Sequence, residues 1–261
     1  MTKGFSAAAI RSGFSLVELS IVLVILGLLT GGILTGQNLI RAAELRSVVT
    51  EFQRYQTAAR TFRDKYFALP GDMGNAVSFW GTAATCPPTN SAPLSGGTTC
   101  NGDGTGKVET GIEGFLFWQH LSSAGLIEGN YTGAPGPDDS RDAEISVNVP
   151  ASRLTTAGWS ANMQLESLAS GSPFFGGEYN NILLFGKEKD TRATFGHALT
   201  STEAWNIDKK SDDGRPGLGN ILSTRLSYDC TTATDMSHKY IAEYKLDKHT
   251  ISCALVFQNA F

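Results

Sequence analysis

The sequence predicts an α+β protein, one long N-terminal helix followed by a globular head that ends in an antiparallel C-terminal β-sheet. Three observations carry that reading. Residues 14–36 form an almost unbroken apolar run. Apolar residues then recur at alternating spacings of three and four as far as Tyr66. Near the C-terminus, residues 239–258 alternate in twos around a short polar turn, the period of a half-buried strand.

The apolar run, FSLVELSIVLVILGLLTGGILTG, carries one charge, Glu18. As a helix it rises about 35 Å, enough to cross the hydrocarbon core of a bilayer. A carboxylate inside such a segment is costly and marks a function and a partner. The stretch before it, MTKGFSAAAIRSG, holds Lys3 and Arg11 and no acid. A secretory signal would place its break after the run, at an A-x-A-like site. Gly31, Gly32 and Gly36 fit that pattern poorly, and an acid is foreign to such a core.

A break before the run, between Gly13 and Phe14, accounts for both features. The segment Gly13-Phe14-Ser15-Leu16-Val17-Glu18 resembles the type IV prepilin leader, in which glycine, aromatic and acid fall at fixed spacing. The resemblance covers roughly the first quarter of the chain. It implies a leader at 1–13, cut after Gly13 by a membrane-embedded prepilin peptidase that then N-methylates Phe14. It also implies that Glu18 pairs with the terminal amine of a neighbouring subunit during assembly. The physics agrees, since a buried carboxylate needs a cationic partner. In one respect the chain departs from the family: Thr35 stands where many members carry proline. Gly27, Gly31, Gly32 and Gly36 offer two other properties, weaker helix propensity or close packing through small residues.

Beyond residue 36 the pattern changes. Leu45, Val48, Phe52, Tyr55, Ala59, Phe62 and Tyr66 form one stripe, with Arg41, Arg46, Glu51, Arg54, Arg60, Arg63 and Asp64 off it. Neither glycine nor proline interrupts before Pro70-Gly71. The expectation is one helix over 14–67, roughly 80 Å long, membrane-spanning over 14–36 and amphipathic over 37–67. A coiled coil would give the same stripe; packing against the chain's own head at 68–261 suits a head of that size better.

With 41% hydrophobic and 18% charged residues, the composition is that of a folded protein, and 29 glycines imply many turns. Formal net charge is −4; loss of Lys3 and Arg11 with the leader makes it −6. No nucleic-acid partner is expected, although residues 41–65 hold six Arg/Lys against three acids. Cys86, Cys100, Cys230 and Cys253 all lie in the head, and an even count outside the cytoplasm reads as disulfides. Three pairings are open. The sequential one closes two local loops, and the pilin resemblance supports its second pair, Cys230 with Cys253.

Within the head, residues 86–106 read as a loop and Glu113–Ala124 as a short helix ending at Gly125. Asn130–Arg141 reads as turns and Ile182–Phe185 as a strand. Ser201–Lys210 reads as a helix with a Ser/Thr cap. Ile221–Tyr228, Lys239–Leu246 and Thr250–Gln258 read as strands, the last two as a hairpin turning at Asp247-Lys248-His249. The segments 68–73, 117–121 and 208–214 resemble parts of large prepilin-like proteins; on their own residues they read as a helix terminator, a buried aromatic helix and a capped loop.

Catalytic chemistry finds no footing. Gly106-Lys107 lacks the flanking Gly and Ser/Thr of a phosphate loop, no G-x-S-x-G occurs, and His120, His197, His238 and His249 lack metal-ligand spacing. The chain reads as a non-enzyme. One stretch is more suggestive: 101–109, NGDGTGKVE, sets oxygen-bearing residues at alternate positions with glycine sixth and an aliphatic residue eighth, as in a calcium loop. Asn101, Asp103, Thr105, the Lys107 carbonyl and a displaced Glu113 would be the ligands. Ile112 stands where the bidentate acid belongs, and a glycine-rich turn after Cys100 explains the same residues. That related secretion pseudopilins bind calcium favours the ion; no other cofactor is expected.

The resemblance therefore implies a pilin or pseudopilin of a type IV pilus or type II secretion-type filament. Its partners would be copies of itself or related pilins, the prepilin peptidase and the inner-membrane assembly machinery. It would start as a single-pass inner-membrane precursor with a periplasmic head. The rival from another class is a single-span, membrane-anchored binding or adhesin-like module that never polymerises.

Overall fold

The structure, a computed structural model, describes residues 15–83, 86, 98–109, 111–138, 141–164, 175–177, 179–189, 193–224 and 229–261. Gly13, Phe14 and the leader lie outside the described residues, as do most of the 86–106 loop and the end of the expected strand at 221–228. The fold is α+β, as the sequence predicts. The chain divides into two compact units, Met1–Ala43 and Glu44–Phe261.

A single helix, α1, runs Leu16–Tyr66 without a break. In the first unit its apolar side chains are exposed, and this part is long and apolar enough to cross a membrane. Its hydroxyls are satisfied inside the helix: Thr30 Oγ1 donates to the Leu26 carbonyl at 2.9 Å and Thr35 Oγ1 to that of Gly31 at 2.9 Å. A lipid environment offers no other acceptor.

The second unit is built on the other end of α1. Val48, Tyr55, Ala58, Ala59 and Phe62 are buried, and Leu45, Phe52 and Tyr66 pack beside them, so the stripe faces the head rather than a coiled-coil partner. Short helix α2 (Val77–Trp80) and α3 (Ile112–Ser123) follow. Strands β1 (Gly158–Gln164) and β2 (Tyr179–Gly186) come next, then β3 (Leu199–Thr200) and α4 (Ser201–Ser211). The chain ends with β4 (Ile221–Ser223), β5 (Ile251–Cys253) and β6 (Leu255–Phe257). An antiparallel sheet runs β1-β2-β6-β4, and β3 pairs with β5 in a second, two-stranded sheet.

Aromatic rings join α1, α3 and the sheet. Phe52 stacks on Phe257 with centroids 4.5 Å apart, Tyr55 meets Trp118 edge-on at 4.9 Å, and Trp159 lies 4.9 Å from Phe185. Leu183 and Phe185 face this core, while Ile182 and Leu184 fill a smaller one with Leu222 and Val256. That is why the middle of β2 reads as an unbroken apolar run. Helix α4 starts on a capping box: Thr200 Oγ1 accepts the Glu203 N–H and Glu203 accepts that of Thr200.

Two expectations fail here. Lys239–Leu246 and Thr250–Gln258 do not form a hairpin. A 3-10 helix, Met236–Tyr240, occupies the start of the first segment. Tyr244 bridges Thr231 instead, and the Lys245 N–H donates to the Cys230 carbonyl. Tyr244 also sends its hydroxyl to Asp208 Oδ2 at 2.9 Å. The second segment splits at Ala254, β5 joining β3 and β6 entering between β2 and β4. The other correction is Glu51, which lies off the apolar stripe yet is buried. Its Oε2 accepts the Trp159 indole N–H at 2.8 Å and its Oε1 the Arg153 backbone N–H at 2.9 Å.

Candidate functional site

At the start of α1, Ser15 Oγ accepts the N–H groups of Val17 (3.2 Å) and Glu18 (3.4 Å), and Glu18 Oε2 accepts the Ser15 N–H at 3.0 Å. This is a capping box. The Glu18 carboxylate therefore sits at the positive end of the helix dipole with a ready donor, and it is exposed.

A second constellation lies in the head. Gly71 (φ +86°) and Gly102 let two chain segments meet with no room for side chains: a Cβ on Gly71 would strike the Glu113 carbonyl and one on Gly102 that of Gly71. The Gly102 N–H donates to the Met73 carbonyl and the Gly104 N–H to that of Asp72, both at 3.0 Å. The contact brings Asp72, Asp103 and Glu113 together, one oxygen of each within 4.8 Å of the others.

Asp72 Oδ1 accepts the Thr105 N–H at 2.8 Å and its Oδ2 that of Gly106 at 2.9 Å. Glu113 takes the N–H groups of Asp103 (3.0 Å) and Glu109 (2.8 Å). Burial raises the pKa of Asp72 and of Glu113, whereas the Thr105 hydrogen bond lowers that of exposed Asp103. Asn101 is turned elsewhere, its Oδ1 accepting the Val77 N–H at 3.0 Å.

His120 on α3 holds both segments in place. Its Nδ1 accepts the Gly71 N–H at 2.9 Å, so the proton belongs on Nε2, which faces Thr99 Oγ1 at 3.1 Å and the Cys100 carbonyl at 3.3 Å. Burial pushes its pKa down to about 4. Disulfides join Cys86 to Cys100, beside this loop, and Cys230 to Cys253, in β5.

Residues 9–34 match the family described as the prokaryotic N-terminal methylation motif. The chain carries a type IV prepilin-like leader. No curated protein and no solved structure matches the chain.

In this prepilin-like chain the matched span includes Gly13, Phe14 and Glu18 and runs into the apolar part of α1. Leader and helix together support a type IV pilin- or pseudopilin-like protein anchored by a single pass, and a structural role rather than an enzyme. Among the sequence-predicted loop residues, the structure brings Asp103, Thr105 and Glu113 to one place and adds Asp72. The acid at 72 sits right after Pro70-Gly71, which sequence reasoning takes as no more than a helix terminator. No signal in the sequence links it to a loop 31 residues on.

Proposed function

We propose that the chain is a filament subunit, a pilin or pseudopilin of a type IV pilus or type II secretion-type system. Prepilin peptidase cuts between Gly13 and Phe14 and methylates Phe14. The subunit then leaves the inner membrane, its head in the periplasm, and polymerises through α1 with copies of itself or related pilins. The observation that carries this reading is the methylation motif running directly into a helix whose apolar side chains from Leu16 to Ile40 are exposed among the described residues. Lipid covers them before assembly, and neighbouring helices do so after.

Glu18 has two roles in this account. In the lone subunit it caps α1; in the filament it pairs with the terminal amine of a neighbour, a cation that cleavage itself creates. Glu18→Gln keeps the shape and most of the cap but loses the charge. Losing one partner of a buried pair costs about 3–5 kcal/mol. Membrane insertion should therefore survive while recruitment into filaments falls, and full incorporation beside wild-type subunits would refute the pairing.

For the head loop we propose calcium as the ion it takes, through Asp72, Asp103 and Glu113. The donor set supports it: three carboxylates converge, and each that accepts backbone N–H bonds keeps lone pairs to spare. Calcium would hold together the segments that Gly71 and Gly102 bring into contact.

A further inference from the structure

At the end of α1, beside the loop that carries Asp103, the head has a cleft of about 520 Å³. Arg63 of α1 and Lys107 of the following loop line it. Among the described residues neither has an ion-pair partner. Two cations without counter-ions at one opening attract an anion.

The opposite wall supplies amides. Asn181 is 8% exposed, and its Oδ1 must face the Val108 N–H, from which it accepts at 3.0 Å. That bond fixes the amide's orientation, and among the described residues Nδ2 has no partner. Nor is Nδ2 a sealed-off atom, since the buried unpaired polar atoms are Trp118 Nε1 and Thr224 Oγ1 among the described residues. A donor on a largely buried side chain that opens onto a cleft is free to bond whatever enters it, water or a ligand. Beside it Asn180 Nδ2 donates to Asn259 Oδ1 at 3.1 Å, which holds both amides at the rim and leaves the Asn180 oxygen as an acceptor. Leu69 and the Phe261 ring, packed against Phe117 at 4.6 Å, add apolar surface.

We infer that this cleft binds a small organic oxyanion with a hydroxylated body. Arg63 and Lys107 take the carboxylate or phosphate, and Asn181 Nδ2 and the Asn180 oxygen take hydroxyls, over the apolar floor. A cleft of this size accepts one sugar-sized molecule, so a sugar acid and a sugar phosphate are the two sources of that chemistry.

Isothermal titration of the full chain in detergent would use glucuronate, glucose 6-phosphate and glucose. At least one of the two anions should bind, and glucose should bind at least tenfold more weakly. Which anion wins tells carboxylate from phosphate. Lys107→Gln and Arg63→Gln alter exposed side chains, so both variants should melt like the wild type, and each should weaken the anion about tenfold. No binding of either anion, equal binding of glucose, or unchanged affinity in both variants would overturn the assignment.

Discussion

Trp159 in β1 donates its indole N–H to Glu51 in α1 at 2.8 Å, across 108 residues of chain. Glu51 also takes the Arg153 N–H, so one buried carboxylate ties the helix to the sheet edge and to the turn that leads into it. Tyr55, one turn further on, lies edge-on to Trp159 at 5.8 Å. The polar pair and the aromatic contact thus fix the same part of α1 against the head.

Truncating that carboxylate leaves two donors without acceptors. Glu51→Ala should cost about 2–4 kcal/mol in urea unfolding of the unit Glu44–Phe261. A double-mutant cycle with Trp159→Phe should show a coupling of at least about 1 kcal/mol. Strict additivity would mean that the bond contributes nothing.

His120 and Asp208 should pull stability in opposite directions with pH. Burial lowers His120 from 6.5 to about 4. Between those values the unfolded chain binds a proton that the folded chain refuses, so stability falls as pH drops through the window. Burial raises Asp208 from 3.8 to about 7. There the folded chain keeps a proton that the unfolded chain has released, so its contribution is lost as pH rises from about 4 to 7. Each group bends the profile by at most about 1.4 kcal/mol per pH unit. Between pH 4 and 6.5, Asp208→Asn should make stability rise more steeply with pH than in the wild type, and His120→Gln less steeply. Superimposable slopes across the three proteins would contradict the burial of both groups.

How far the sequence reveals this fold depends on the range of the contacts. The stripe from Leu45 to Tyr66 is legible because each contact repeats along one helix face. The cap of α4 is legible because Thr200 and Glu203 are three residues apart. The C-terminal hairpin misleads because alternation in 239–246 says which side chains share a face and nothing about the strand they meet. Thr231, Cys230 and Asp208 decide that. Strand β1, GWSANMQ, sets Trp159, Ala161 and Met163 against Ser160, Asn162 and Gln164, a period of two that marks a strand in the sequence itself. Asp72 and Glu51 share one cause: an acid that is buried because a distant N–H needs it looks like a surface acid in sequence.

The two disulfides should differ in worth. Chain entropy alone gives about 3 kcal/mol for Cys86–Cys100 and about 3.5 for Cys230–Cys253. The second also holds β5 beside the segment whose Cys230 carbonyl takes bonds from Ser201 Oγ (2.7 Å) and the Lys245 N–H. Replacing both cysteines by alanine should therefore lower the melting temperature more for the 230/253 pair. The reverse order would contradict this placement of the strand.

Calcium should raise the melting temperature of the head, by about 2.7 kcal/mol of stability at a hundred times its dissociation constant. Asp103→Ala and Asp72→Asn should each abolish most of that gain. Asp103 is the cleaner test because it is exposed. An equal gain in Asp103→Ala, or none in the wild type at millimolar calcium, would return the loop to a glycine-rich turn.

If this chain is a processed filament subunit, its N-terminus records that processing. Filaments sheared from cells that express the protein would be digested and the terminal peptide identified by mass spectrometry. The expected peptide begins at N-methylated Phe14, with Met1–Gly13 gone. An assembled protein that still carries its leader, or one that starts after the apolar run near Gly36, would contradict that processing.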